Sequence, residues 1–244
     1  VWKDIVKEHE DADNIIFVGD YFDSFNIDGM DQLRNAKDII DFKKLQELDP
    51  TKKVYLLVGN HDHHYWPGVK DRGGTSGYQA FMYPQIEEFF RTYQDMFQMA
   101  VIIGDKLCTH AGVSSEYMKD FGYWTYDSHK DESNVANWLN DLFTYQPNKF
   151  LFTAGYDKNN TGIPANGYGD DEWQCPIWIR PKSLQRVNKN EEIKKMFIQI
   201  VGHTQQKCID LKGKTTGGRY YYIDTLPSGE YLIEEDNKLR IGKI

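Results

Sequence analysis

The order of apolar and polar residues predicts alternating helices and strands along the first half of the chain. The first ten residues place four side chains on one helical face: Trp2, Ile5, Val6 and His9. Short apolar runs that end at a glycine indicate buried strands over 14–20 and 52–60. Helices are predicted over 31–48 and over 78–97, the second interrupted at Pro84. This alternation favours an α/β layered core.

The second half of the chain follows a different pattern. Two strands joined by a Gly-Asp turn are predicted over 97–112. Residues 113–189 are rich in Tyr, Trp, Asn, Gly and Pro, with one helical run over 134–143. We interpret this segment as a cap inserted into a single domain over 1–244. Four further strand-like runs follow it: MFIQIVGHT, QKCIDLK, GRYYYIDT and EYLIEE.

Composition narrows the classes of function. The 244 residues carry a net charge of −8, from 29 basic and 37 acidic side chains. This balance makes nucleic-acid binding or docking on an anionic membrane through diffuse positive charge an unlikely role. The apolar runs fall short of the ~18 residues that a membrane helix needs. Three cysteines are too few for a disulfide framework, so we expect a reducing, cytoplasmic location.

Four predicted strands end in metal-competent side chains. The carboxyl ends of strands in α/β sheets form one edge, so these groups should converge there. Each one alone is usually a turn or a hydrogen-bonded histidine, but four together indicate a catalytic metal site. Carboxylate, amide and two imidazoles suit Mn, Fe or Zn and are too rich in nitrogen for Ca or Mg. The four groups are Asp20 with Asp23, Asn60 with His61, His110, and His203.

The motifs that contain these residues resemble those of the calcineurin-like metallophosphoesterases. GDYFD (19–23), GNHD (59–62), THAG around His110 and GHT (202–204) match the family in order and approximate spacing. HAG, GHT and the later YYIDT are most similar to the phosphoprotein-phosphatase branch, which includes diadenosine-tetraphosphate hydrolases. The resemblance implies a four-layer α/β/β/α sandwich of two mixed β-sheets.

The resemblance also implies roles for individual residues. Asp20 would bridge two divalent metal ions, with Mn expected and Fe or Zn as alternatives. The ligands of the second ion would be completed by Asn60, His110 and His203. A metal-activated water would attack the phosphorus atom. His61, oriented by Asp23, would donate a proton to the leaving oxygen.

The sequence departs from the family in its opening motif. Asp-x-His, which supplies main ligands of the first metal, has no match, and its place would be at the end of a strand before Trp2. We therefore expect a chain that lacks the first strand of the fold. One strongly bound metal should remain of the two in an intact enzyme. Hydrolysis by this chain should be weak or absent.

A second departure is Ser24, where phosphoprotein phosphatases carry an arginine that grips phosphate. Arg180 in PIWIRP resembles an arginine that binds phosphate in bacterial relatives, and the plain alternative is a surface arginine stacked beside Trp178. Arg72 in DRGGTSG is the other candidate. The guanidinium fork pairs with two phosphate oxygens at once.

Three classes of function remain open at this point. The first is a phosphatase acting on a phosphorylated small molecule or a phosphoprotein, with a nucleotide or diadenosine polyphosphate hydrolase as its alternative. The second is a non-catalytic module that binds phosphate or a partner, if the Asp-x-His motif is genuinely absent. The third is a carbohydrate or ligand binder that uses the aromatic residues of the cap. Nothing in the sequence predicts the oligomeric state.

Overall fold

The structure is a computed structural model that describes most of the chain. It covers residues 1–70, 76–123, 134–152, 171–187, 197–213 and 218–244. Contacts between Cα atoms divide the chain into two units, Val1–Gln98 with Lys243–Ile244, and Met99–Gly242. The interpretation of 1–244 as a single domain stays a prediction. The proposed cap belongs to the second unit, and much of it lies outside the described residues.

The first unit contains a three-stranded parallel sheet in the order β1-β2-β3. Ile15 of β1 lies opposite Val54 of β2, and Leu56 of β2 lies opposite Phe97 of β3. The strands are β1 (Asn14–Phe17), β2 (Lys53–Leu57) and β3 (Phe97–Gln98). The helices are α1 (Trp2–Glu8), α2 (Gly29–Gln46), α3 (Asn60–His63) and α4 (Tyr83–Tyr93).

Local signals explain where the two longer helices of this unit begin. The side chain of Asp28 caps α2 by accepting a hydrogen bond of 2.8 Å from the backbone N–H of Met30. The helix predicted over 78–97 is not interrupted at Pro84. Instead α4 starts beside this proline, because the first helical turn has no use for the missing N–H. Both helices bury an apolar stripe, made of Leu33, Ala36, Ile39 and Ile40 in α2 and of Ile86, Phe89 and Phe90 in α4.

The second unit contains a four-stranded mixed sheet in the order β4-β5-β6-β7. Strands β4 and β5 pair antiparallel, whereas β5-β6 and β6-β7 pair in parallel. The strands are β4 (Ala100–Ile103), β5 (Lys106–Thr109), β6 (Ile198–Val201) and β7 (Tyr220–Tyr222). The helices are α5 (Ser115–Asp120), α6 (Asn134–Tyr145) and α7 (Pro181–Val187). A two-stranded sheet follows, formed by β8 (Glu230–Glu235) and β9 (Lys238–Lys243).

The predicted fold class is confirmed as mixed α/β with several sheets, although two details were wrong. QKCIDLK is a turn and not a strand, since Glu230 accepts a hydrogen bond of 2.9 Å from Ile209 N–H and Asp210 accepts one from Lys212 N–H. The apolar run that starts at Phe97 is divided between two sheets. Its first two residues pair with β2, and the residues from Ala100 onward pair with β5.

Membrane-spanning helices were not expected from the sequence. In the described ranges, no helix is both long enough and apolar enough to cross a bilayer. The 18-residue helix α2 has the length, but charged side chains interrupt it throughout.

A buried glutamine anchors the loop that leaves β5. The side-chain oxygen of Gln199 in β6 accepts a hydrogen bond of 2.8 Å from Val113 N–H, and its amide nitrogen donates one of 3.1 Å to the carbonyl of Val113. Gly112, in the same loop, has φ +112°, and a Cβ there would lie 2.4 Å from a methyl carbon of Leu184. Side-chain clamping and the close approach of α7 therefore set the path of the chain after His110.

We predict that Gln199→Ala lowers the free energy of unfolding by about 2–4 kcal/mol, because it removes two buried hydrogen bonds to the backbone of Val113. Urea unfolding followed by circular dichroism measures the loss. The matched control is Gln94→Ala at an exposed position, with a loss within about 0.5 kcal/mol. Equal losses for the two variants would show that the clamp does not hold this loop.

Candidate functional site

The loop that follows β1 has an uncommon backbone. Asp20 and Asp23 both lie in the left-handed region, with φ of 62° and 69°. Non-glycine residues adopt this region at a cost of roughly 1–3 kcal/mol each, and they cluster at functional sites. The loop therefore needs strong tertiary contacts to hold it in this shape.

The carboxylate of Asp62 supplies those contacts. Its Oδ2 accepts hydrogen bonds of 2.8 Å from the backbone N–H groups of Gly59 and Asp20, and its Oδ1 accepts one of 2.8 Å from Tyr21. One fully buried side chain thus ties the loop after β1 to the loop after β2. Burial, and then the neighbouring charge of Asp20, raise the pKa of Asp62 well above its usual range.

The side chain of Asp20 packs directly on the second loop. Its Oδ1 accepts a hydrogen bond of 3.0 Å from the backbone N–H of His61. A Cβ at Gly59 would lie 2.1 Å from this same oxygen, so only glycine allows so close an approach. Asn60, which stands between Gly59 and His61 in the sequence, is the first residue of α3 and is buried. Asp20 is exposed, and its carboxylate offers one ligand atom for a metal ion.

His61 and Asp23 form a hydrogen-bonded pair. Nδ1 of His61 lies 3.1 Å from Oδ2 of Asp23. The Asp23 carboxylate is fully buried, whereas 22% of the His61 side chain is exposed. The imidazole is therefore held through Nδ1 by a buried group, while part of its ring reaches the surface.

The pair shifts the pKa of each partner. Burial raises the pKa of Asp23, but the hydrogen bonds with His61 and Tyr65 and the close approach of His64 outweigh it, and the net pKa lies below the usual value. Burial lowers the pKa of His61, but the bond to Asp23 and the negative charges of Asp20, Asp23 and Asp62 raise it by more. The net pKa of His61 therefore lies above the usual value. The imidazolium form of His61 thus persists to higher pH than in a free histidine.

The second unit places two histidines side by side. His110 follows β5 and His203 follows β6, and these strands pair in parallel with Thr109 opposite Val201. The ring centroids are 5.2 Å apart, and the carbonyl of His110 accepts a hydrogen bond of 2.8 Å from Gly202 N–H. His203 has φ 62°, a third left-handed residue of this type. Two imidazoles at adjacent strand ends suit a transition-metal ion.

Comparison with family models decides the relationship. The model of the calcineurin-like phosphoesterases matches residues 1–206 of the chain. The chain belongs to this family. Membership implies metal-dependent hydrolysis of phosphoesters, so the resemblance seen in the motifs is confirmed. No curated protein sequence matches the chain.

Solved structures of related phosphatases share this fold. The cold-active protein-tyrosine phosphatase of the psychrophile Shewanella sp. matches with a TM-score of 0.55 and 16% identity, over 94% of this chain and 66% of that chain. A point mutant of a cold-active protein tyrosine phosphatase matches with a TM-score of 0.59 and 17% identity, over 94% of this chain and 66% of that chain. Another structure of a cold-active protein tyrosine phosphatase matches with a TM-score of 0.57 and 18% identity, over 94% of this chain and 65% of that chain. The chain thus spans slightly less than two thirds of their length. At this identity the likeness concerns the fold alone.

The donor chemistry of the chain fits a metal of this phosphoesterase family. The first unit supplies the carboxylate of Asp20, and the second supplies the imidazoles of His110 and His203. Divalent transition-metal ions bind oxygen and nitrogen ligands of this kind. The predicted ligand Asn60 adds an amide oxygen in the first unit.

The two candidate phosphate-binding arginines differ in what the structure describes of them. Arg180 is half-buried and donates a hydrogen bond of 3.3 Å to Oγ1 of Thr204, the residue after His203. The neighbouring Trp178 lies 6.0 Å from the His203 ring and 4.9 Å from Phe152, between centroids. Arg180 therefore belongs to the surroundings of His203. Arg72 lies outside the described residues.

The cysteines are not placed for nucleophilic catalysis. Cys108 and Cys175 are buried, and desolvation raises the pKa of each thiol to about 12. A thiolate is the nucleophilic form, so these two are inert near neutral pH. Cys208 is exposed but lies in no nucleophile motif.

Sequence reasoning missed the roles of Asp62 and Tyr65. The signal for Asp62 was present, because an acidic residue three positions after the glycine that precedes a helix commonly accepts hydrogen bonds from that turn. Nothing in the sequence pointed to Tyr65, whose hydroxyl bonds to Asp23 at 2.6 Å. His63, His64, Tyr65 and Trp66 are all buried.

We predict that Asp62→Ala lowers the free energy of unfolding by about 3 kcal/mol or more, because three backbone N–H groups lose their acceptor at once. Urea unfolding measures the change. Asp11→Ala, at an exposed position in the same unit, serves as the control and should change stability by less than about 0.5 kcal/mol. An Asp62→Ala variant as stable as this control would contradict the assigned role.

Proposed function

We propose that this chain hydrolyses phosphomonoesters, in the manner of the phosphoprotein-phosphatase branch of its family. The observation that carries the proposal is the pair formed by His61 and the buried Asp23, 3.1 Å apart. A histidine held at Nδ1 by a buried carboxylate is arranged to present a proton at Nε2. Asp20 contacts the backbone of the same histidine, which places a metal-competent carboxylate next to it in the first unit.

The proposed metal ligands are Asp20, Asn60, His110 and His203. When bound, a divalent metal would neutralise charge on the phosphoryl oxygens and lower the pKa of water, so that hydroxide is available near neutral pH. Mn is the first ion to test, with Fe and Zn as alternatives. A second ion, expected from the family, would share Asp20.

His61 supplies the proton in this proposal. The leaving alkoxide needs a proton as the ester bond breaks, and general acids contribute roughly 10²–10⁴-fold to such steps. The pKa of His61 is raised above its usual value, which keeps the donor form populated near neutral pH. Asp23 holds the ring through Nδ1 and stabilises its positive charge.

Arg180 is the proposed partner of the substrate phosphate. It donates a hydrogen bond to Thr204, which directly follows the proposed ligand His203 in the sequence. Its guanidinium can pair with two phosphate oxygens. Arg72 remains a second candidate for this role. Ser24 has no charge to offer at the position where phosphoprotein phosphatases carry an arginine.

The substrate class is proposed from two sources. The motifs favour a phosphomonoester, and the structures that share the fold are described as protein-tyrosine phosphatases. Phosphotyrosine and phosphoserine peptides are therefore the first substrates to test. A nucleotide or diadenosine polyphosphate is the runner-up, because the HAG and GHT motifs also occur in hydrolases of that kind. We also propose a reducing, cytoplasmic location, for which the three free cysteines are the support.

We predict that the chain hydrolyses p-nitrophenyl phosphate slowly when Mn²⁺, Fe²⁺ or Zn²⁺ is added, because the ligands of the Asp-x-His motif have no match in it, and that EDTA abolishes this activity. His61→Asn should lower kcat roughly 100-fold on a phosphopeptide, since it removes the proton donor. Steady-state kinetics with each metal, on phosphopeptides and on diadenosine tetraphosphate, measures both activity and preference.

His9→Asn is the matched control, because His9 caps the C-terminal end of α1 in the same unit and belongs to none of the four motifs. It should keep full activity. A preference for diadenosine tetraphosphate would contradict the proposed phosphomonoesterase and would favour a diadenosine polyphosphate hydrolase. A chain inert with every metal that still binds inorganic phosphate would contradict catalysis and favour the non-catalytic module.

A further inference from the structure

The carboxylate of Asp23 has more partners than His61 alone. Its Oδ2 lies 3.1 Å from Nδ1 of His61 and 3.0 Å from Nε2 of His64. Its Oδ1 accepts a hydrogen bond of 2.6 Å from the hydroxyl of Tyr65. Both oxygens are thus engaged, and these three partners come from one short segment of the chain, His61 to Tyr65.

The direction of the Tyr65 hydroxyl is determined by a second bond. Its oxygen accepts a hydrogen bond of 2.8 Å from the backbone N–H of Gln79. That N–H occupies a lone pair, so the hydroxyl proton is left to point at Asp23. The Gln79 N–H therefore donates to the Tyr65 hydroxyl, which in turn donates to the Asp23 carboxylate, and two hydrogen bonds in series polarise one another.

Packing holds the two side chains beside Asp23. Tyr65 is fully buried, stacks on Tyr78 with centroids 5.5 Å apart, and meets the ring of Phe22 at 6.0 Å. The His64 ring lies 4.2 Å from the Tyr65 ring and is itself buried. Neither side chain is exposed enough to contact a substrate, so each can act on the reaction only through Asp23.

We propose that Tyr65 and His64 are positioning residues, which fix the rotation of the Asp23 carboxylate and through it the ring of His61. This inference rests on the proposed function of His61 as proton donor. The carboxylate torsion of an aspartate is broad when free, so its direction depends on the groups that bond to it. Hydrogen bonds to an ionised acceptor are the strong ones, and Tyr65 supplies one to Oδ1.

The proposal has a consequence that depends on the substrate. A poor leaving group needs protonation as it departs, whereas a stable anion such as dinitrophenolate hardly does. Misdirection of His61 should therefore slow the hydrolysis of phenyl phosphate far more than that of 2,4-dinitrophenyl phosphate. A merely structural loss would slow both esters equally.

The first test uses Tyr65→Phe, which removes only the hydroxyl. The expected result is a fall in kcat/KM of roughly tenfold or more on phenyl phosphate and less than about threefold on 2,4-dinitrophenyl phosphate. The matched control is Tyr117→Phe, a buried tyrosine of the second unit whose hydroxyl donates to the carbonyl of Lys149. This control should leave the ratio between the two esters unchanged.

A second readout needs neither metal nor substrate. In the metal-free chain labelled with ¹⁵N-histidine, at a pH high enough for His61 to be neutral, its ring nitrogens should report one tautomer with the proton held at Nδ1 by Asp23. Tyr65→Phe should shift these signals toward a mixture of tautomers, and Tyr117→Phe should not. His61→Asn identifies which signals belong to His61.

His64 provides an independent pair of variants in case the loss of the Tyr65 hydroxyl prevents folding. His64→Gln keeps a nitrogen donor near the position of Nε2 and should preserve the His61 signals, whereas His64→Leu should disturb them. Unchanged signals in both Tyr65→Phe and His64→Leu would overturn the proposal, as would equal losses on the two esters. If the unaltered chain hydrolyses neither ester, the proposed function fails, and the nitrogen signals alone decide whether His61 is positioned in this way.

Discussion

The geometry of the first unit depends on one buried carboxylate. Asp62 accepts backbone hydrogen bonds from both strand-end loops, and from its buried position it ties them together. A buried charge is costly unless it is fully hydrogen-bonded, and three donors meet that condition. In return, Asp20 and Asp23 are kept in left-handed conformations that neither would hold alone.

In the second unit, the pairing of two strands is enough to place two functional side chains next to each other. Parallel pairing of β5 and β6 places the residues after each strand next to each other, and a backbone bond from Gly202 to His110 completes the arrangement. The clamp of Gln199 on Val113 then directs the chain away from the sheet. Functional side chains at the carboxyl ends of parallel strands are the general rule for α/β sheets.

Motif and periodicity together anticipated the strands that precede each motif and the residues that follow them, because glycine-ended apolar runs are local features. The apolar run from Phe97 misled, since its division between two sheets depends on pairing with β2 and β5 rather than on its own composition. The role of Tyr65 could not be read for a similar reason. Its hydroxyl is oriented by the backbone of Gln79, fourteen positions away. Contacts between distant positions leave no periodic trace in a sequence.

The central proposal is that the chain binds one divalent metal ion through the four proposed ligands, Asp20, Asn60, His110 and His203. Calorimetric titration of the chain with Mn²⁺ tests it most directly, with single variants Asn60→Ala in the first unit and His203→Ala in the second. The account predicts one strongly bound ion per chain and a loss of at least roughly tenfold in affinity for either variant, since each removes a ligand of the same ion. Two independent weak sites, each sensitive to only one of the variants, would contradict it.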